Sequence, residues 1–317
     1  MIYLILFALS IIITFIIRKY ASVLKLIDIP NERSSHTIST PRGGGVAIII
    51  TFYTAFFYYH AFIESQLFWA ICMGVPIAII GFFDDIKPLP VYVRLSVQIL
   101  SALTVLLILG GVNEIQFGFF TLHGMWLNGI AFLMIVWFTN LYNFLDGIDG
   151  YAASQTIFVS IAAFTLFKEP TLLFIIPATA GFLLFNRPKA SIFMGDVGST
   201  SLGFIFAIYM IHDASTLHFS GWLVVLSLFW FDATITLIRR WLNHEKLSVA
   251  HKKHMYQRLH LAKWSHQNIV LLGLVFNLTL FGLLLITPEK YFLVILGVTL
   301  LLLAKLLYFV DSKKEFL

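Results

Sequence analysis

Apolar residues fill this chain in long blocks, separated by short polar segments. Blocks of spanning length, about 17–25 residues for a membrane helix, fall near residues 2–17, 44–63, 67–83, 91–110, 128–145, 150–167, 171–186, 199–212, 220–238, 268–287 and 290–309. The pattern predicts an all-α, polytopic transmembrane helical bundle of about eleven spans, or ten if the short eighth block is discounted. Residues 1–317 read as one integral membrane domain, with a polar loop at 239–267. Arg18 and Lys19 follow the first block and no basic residue precedes it. That is the reverse of a signal peptide, so an uncleaved first span is expected.

Composition agrees with the pattern. The 317 residues are 59% hydrophobic and only 12% charged, whereas soluble domains carry about a quarter charged residues. Cys72 is the only cysteine and lies in an apolar block, so it is expected to pack rather than to bridge. With the N-terminus outside, Lys168 and Lys290 are the only outward cations among the 21 lysines and arginines, a strong positive-inside bias. The net charge of +5 therefore reads as topology and as attraction to head groups and phosphates in the lipid bilayer, not as nucleic-acid binding.

The polar residues gather at the inner ends of the spans. Ionisable groups are costly there and by default mark function. Residues 140–150 read Asn-Leu-Tyr-Asn-Phe-Leu-Asp-Gly-Ile-Asp-Gly. Asn140, Asn143 and Asp146 share one broad helical face; Gly147 and Gly150 are expected to break the helix and fold Asp149 back toward them. Amides gluing neighbouring helices would explain Asn140 and Asn143 but not the two carboxylates. Asp84 and Asp85 end the third block, where such a pair can hold Mg²⁺ or take a proton, or simply be a solvated interfacial pair. Gly43, Gly44 and Gly45 open the second block, where they permit either approach of a ligand to the backbone or close helix packing. Further on, Asn186, Phe193 and Asp196 lie together in a glycine-flanked segment, in which Asp196 could equally be a helix cap. The 239–267 loop is basic, with His251, Lys253, His254 and His260. Asp232 reads as a buried acid with a local partner, and the outer loop 111–127 as a cap or small hairpin.

Arg-Gly-Gly-Gly at 42–45, Asp84-Asp85, the 140–150 run, Asn186, residues 193–199 and the late histidine loop together resemble the polyprenyl-phosphate N-acetylhexosamine-1-phosphate transferases. That family includes the translocase of peptidoglycan synthesis and the initiating enzymes of enterobacterial common antigen and O-antigen. Residues 31–36 and 254–259 look most like the O-antigen branch. The resemblance implies Mg²⁺-dependent transfer, with Mn²⁺ as a substitute ion, of a sugar-1-phosphate from a UDP-sugar to undecaprenyl phosphate, releasing UMP, at the cytoplasmic face of a bacterial inner membrane. The donor implied is UDP-N-acetylglucosamine or a 6-deoxy analogue, and a homodimer is compatible with it. By position the resemblance makes Asp196 the metal ligand, with Asp149 beside it, and Phe193 the uracil-stacking ring. It puts Asn140, Asn143, Asn186 and Gly147 in the nucleotide pocket, and Gly44 at the substrate. It gives Asp84, Asp85, Asp146, Asp149 and His254 to catalysis, with Asp84 as base or phosphate-orienting group, and leaves an aspartyl-phosphate route open. The family's histidine motif is altered here. Lys253 replaces an imidazole, and with His251 would meet phosphate as a point charge.

Two other classes fit less well. A transporter or lipid flippase would place coupling residues near mid-membrane on interrupted helices, commonly in repeated halves. A CDP-alcohol phosphotransferase needs an arginine and further aspartates that Tyr151 to Ser154 do not supply.

Overall fold

The computed structural model describes residues 1–30, 38–60, 65–247 and 251–316. The sequence wording at 31–36 that favours the O-antigen branch lies outside the described residues. The chain forms α1 (Ile2–Tyr20), β1 (Ile27–Asp28), β2 (Thr40–Pro41), α2 (Gly45–His60), α3 (Gln66–Cys72), α4 (Gly74–Ile86), α5 (Val91–Leu109), β3 (Glu114–Gln116), β4 (Thr121–His123), α6 (Leu127–Phe144) and α7 (Tyr151–Phe167). A 3₁₀ turn at Pro170–Phe174 leads into α8 (Ile175–Asn186), followed by α9 (Asp196–His212), α10 (His218–Val225), α11 (Ser227–Leu242), α12 (Met255–Leu261), α13 (His266–Ile286) and α14 (Phe292–Lys313).

Helix occupies each of the eleven predicted blocks, but not every block makes a full span. Among the described residues six helical segments are long and apolar enough to cross a membrane, with α3 and α4 counted as one. A seventh is added if α10 and α11, bent by 67° at their junction, act as one. Shorter apolar helices fill the second, sixth and seventh blocks. The chain is a multi-pass, predominantly helical membrane protein, and the strands among the described residues are two short antiparallel pairs. One pairs Ile27 with Pro41; the other is the hairpin that the outer loop suggested, pairing Ile115 with Leu122.

The bundle is built around α9. Every residue from Val197 to Ile211 is buried, as expected for a helix that is apolar all round. It packs chiefly against α6 and α4, while α1 packs on α8. This central position decides the site, because it brings one end each of α4, α6 and α9 together.

Candidate active site

The glycine run at 43–45 forms a seam. Phe193 N–H donates to the Pro41 carbonyl at 2.8 Å, Gly44 N–H to the Phe193 carbonyl at 2.9 Å, and Gly45 N–H to the Met194 carbonyl at 2.8 Å. A Cβ on Gly45 would fall on the Gly198 backbone, and one on Gly44 on the Phe182 ring. Of the two readings open in the sequence, the described contacts of Gly44 are those of close packing.

That seam sets the start of α9. Asp85, only 1% exposed, accepts the N–H groups of Asp196 (2.9 Å) and Val197 (3.2 Å), one on each carboxylate oxygen. A side chain from α4 thus caps α9, where unpaired N–H groups and the helix dipole favour negative charge. Gly195 makes the turn with φ of 78°, and a Cβ there would meet the Asp85 carboxylate. Arg42 secures the end of α4, donating to the main-chain carbonyls of Asp85 (2.6 Å) and Asp84 (3.0 Å).

Asp84 meets a different set of donors. Its Oδ1 accepts Leu89 N–H at 2.6 Å and its Oδ2 lies 2.9 Å from Arg94 Nη1. The same nitrogen lies 2.9 Å from Asp196 Oδ2. From α6, the Asn143 side chain lies beside Asp196, and Asp146, just past the helix end, lies beside Gly195. Burial, then the negative charges of Asp196 and Asp85, push the Asp146 carboxyl well above the usual range. Asp84, Asp85, Asn143, Asp146 and Asp196 therefore converge from three helices. Arg94, which carries no motif, bridges two of them. Its sequence signal is a guanidinium four residues into an apolar helix.

The other predicted residues lie around this group. Asn140 donates to Gln98 (2.7 Å) and to the Val136 carbonyl (2.8 Å), so it is the interhelical glue that its position allowed. Asp149 does not fold back toward Asp196: its Oδ2 accepts Lys189 N–H (3.0 Å) and Ala190 N–H (3.2 Å) and lies 3.2 Å from His266 Nδ1. Burial alone would raise this carboxyl, but those donors outweigh it and hold Asp149 below its ordinary value. Asn186 accepts Gly150 N–H (3.0 Å) and donates to the Ile192 carbonyl (2.9 Å). Asp149 and Asn186 together tie the turn after α6 to the segment before α9, which carries the half-buried Phe193.

The histidine loop docks on the end of α6. The His254 ring lies between those of Phe144 and Tyr256, with centroids 6.0 Å away on each side. Its Nδ1 lies 3.7 Å from Asp232, which also accepts the Met255 N–H at 2.9 Å. The Tyr256 hydroxyl donates to the Phe144 carbonyl at 2.8 Å, and a Cβ on Gly147 would strike that hydroxyl. Lys253, expected at phosphate, pairs here with Glu245 at 2.6 Å.

His251 lies 4.9 Å ring to ring from His254. Burial, then the charges of His254 and Arg240, drop its pKa to about 4 from 6.5. A depressed folded-state pKa gives stability that is full above the unfolded value and is lost as pH falls through the folded one. The protection of amides across residues 251–262, after correction for the intrinsic pH dependence of exchange, should fall as pH drops from 6.5 toward 4, and much less so in His251→Gln. The same pH response in both proteins would disprove the linkage.

The model of glycosyl transferase family 4 matches residues 67–213. A probable undecaprenyl-phosphate N-acetylglucosaminyl 1-phosphate transferase of Bacillus subtilis (strain 168) is 31% identical over 293 residues, covering 84% of this chain and 80% of the relative. The chain belongs to glycosyl transferase family 4. An undecaprenyl-phosphate alpha-N-acetylglucosaminyl 1-phosphate transferase of Thermotoga maritima is 27% identical across 90% of this chain and 89% of its own. A phospho-N-acetylmuramoyl-pentapeptide-transferase of Thermotoga petrophila is 30% identical across 63% of this chain and 70% of its own. The stretch matched to glycosyl transferase family 4 contains Asp84, Asp85, Arg94, Asn143, Asp146 and Asp196, while Gly44 and the histidine loop fall outside it.

Proposed function

We propose that this chain transfers an N-acetylhexosamine-1-phosphate from a UDP-sugar to undecaprenyl phosphate, releasing UMP, at the inner face of a bacterial cytoplasmic membrane. The product would be the first lipid-linked sugar of a cell-surface polysaccharide, O-antigen or related. The observation that carries this reading is the meeting of Asp84 and Asp196 on one guanidinium nitrogen, 2.9 Å from each, with Asp146 beside them. Carboxylates gathered this closely suit a hard dication and the diphosphate it accompanies. The relatives' names supply the acceptor, undecaprenyl phosphate, and the transferred group, N-acetylglucosaminyl 1-phosphate.

The donor set fits Mg²⁺, or Mn²⁺ in its place, because it offers carboxylate oxygens and an amide rather than sulfur or imidazole. Asp196, with Asp146, would hold the ion, which would supply charge neutralisation on the diphosphate. Asp149 is replaced in this role, since its Oδ2 is engaged by Lys189, Ala190 and His266.

In the reaction a phosphate oxygen of the acceptor attacks the sugar-bearing phosphorus, and the bond from that phosphorus to UMP breaks, leaving the electron pair on UMP. The acceptor phosphate is largely ionised at neutral pH, its second pKa being about 6, so little proton abstraction is required. Asp84, engaged on both oxygens, then acts as a positioning residue for Arg94 rather than as a base. Asp85 holds Asp196 through the backbone of α9. A cavity of about 410 Å³, lined by Phe7, Leu183, Leu184 and Val270 together with Arg187, is apolar enough to suit an isoprenyl chain.

Detergent-solubilised protein given labelled UDP-N-acetylglucosamine, undecaprenyl phosphate and Mg²⁺ should form lipid-linked sugar and UMP in equal amounts. A panel with 6-deoxy donors identifies the sugar, and failure of the whole panel would overturn the reading. Asp84→Asn should lower kcat about 10²-fold, the scale of losing one preorganised electrostatic contact, with KM for the nucleotide nearly unchanged. Loss of nucleotide binding instead would contradict the role given to Asp84.

A further inference from the structure

The carboxylate group uses one end of α9, and a second set of ligating side chains lies at the other. The 17 residues of this helix separate the two by about 25 Å. At this far end α7 stops at Lys168, whose left-handed φ of 60° turns the chain into Glu169. One ligating atom from each of Glu169, His212 and Asp213 lies within 4.8 Å of the other two.

Asp213 is only 4% exposed, and its two oxygens have different surroundings. Its Oδ2 accepts the Trp222 indole N–H at 2.7 Å and lies 3.6 Å from His218 Nδ1. The other ring nitrogen of His218 lies 3.6 Å from Glu289. Asp213 Oδ1 lies 3.5 Å from His212 Nδ1. That separation is long for a hydrogen bond, but it matches two ligands on one ion: at metal–ligand distances of about 2.1 Å, tetrahedral neighbours stand about 3.4 Å apart. The half-buried Glu169 supplies the third carboxylate, within 4.8 Å of the other two ligand atoms. The Trp222 indole holds the far oxygen of Asp213, as outer partners commonly orient a ligating carboxylate.

We propose that Glu169, His212 and Asp213 form a zinc site at the end of the bundle opposite the carboxylate cluster, with the fourth position open to water. The imidazole favours zinc over magnesium, which prefers an all-oxygen shell. The ion would join the end of α7 to the end of α9. It would also steady the β3–β4 hairpin, because Gln116 N–H donates to the Ala214 carbonyl at 2.8 Å.

The test uses full-length protein in detergent, stripped of metal and then dialysed against buffered zinc, with metal content read by mass spectrometry and stability by thermal melting. Wild type should retain stoichiometric zinc and melt higher with it, whereas magnesium at the same free concentration should do neither. His212→Ala removes a side chain that is 42% exposed. It should keep the zinc-free Tm while losing both the bound zinc and the zinc-dependent rise. Glu169→Gln should behave likewise, and Asp196→Asn should bind zinc as wild type does. Wild type that retains no zinc would overturn the proposal. So would wild-type zinc binding in both His212→Ala and Glu169→Gln, which would leave an ordinary Asp–His ion pair.

Discussion

Asp196→Asn is expected to reduce kcat by about 10³-fold with the fold intact. The substitution removes one charge where α4, α6 and α9 meet and leaves a side chain of nearly the same size. Loss of a metal-binding carboxylate forfeits several kcal/mol of transition-state charge stabilisation, and each 1.4 kcal/mol or so is a factor of ten. The N–H of residue 196 still reaches Asp85 in the variant, so the start of α9 is preserved. Steady-state kinetics with labelled UDP-sugar would be run beside thermal melts of the same preparation. Near-normal turnover at an unchanged Tm would remove Asp196 from the metal role.

Gly45→Ala is expected to lower both stability and activity although residue 45 touches no substrate. Its Cβ would be driven into the backbone of Gly198, which cannot rotate away as a side chain would. Overpacking of this kind costs about 1–3 kcal/mol. Relief by separating α2 from α9 would stretch the Gly45–Met194 and Gly44–Phe193 hydrogen bonds and move Gly195 and Asp196 with them. A fall in Tm of several degrees should accompany a larger fractional loss of kcat. Gly282→Ala and Gly297→Ala are matched controls, because a Cβ at either meets nothing within 4 Å, and both should be neutral. If Gly45→Ala also melts and turns over like wild type, the seam does not set the site.

The carboxylates of the site were legible because burying charge is costly. Asp84, Asp85, Asp146 and Asp196 stand out at the ends of apolar blocks in a chain with sixteen acids. Their division of labour was not legible. Asp84 and Asp85 are adjacent and chemically identical, yet one meets Arg94 and Leu89 while the other caps α9, because successive helical positions differ by about 100° in direction. Asp149 has the same spacing from Asp146 as Asp146 has from Asn143, but the helix stops at Phe144 and the chain turns it toward His266. Arg94 was invisible as a site residue, since its role requires two partners that lie 10 and 102 positions away.

The sequence by itself determined the membrane-embedded helical class, the apolar blocks that become helix and the residues too costly to bury without partners. All of these follow from local hydropathy and from the energetics of charge in an apolar medium. Tertiary structure alone decided which carboxylates meet, which amides are glue, and that the glycine run is a seam against Gly198. Those outcomes depend on helices far apart in sequence packing around α9. The direction of a side chain is fixed only when its neighbours are.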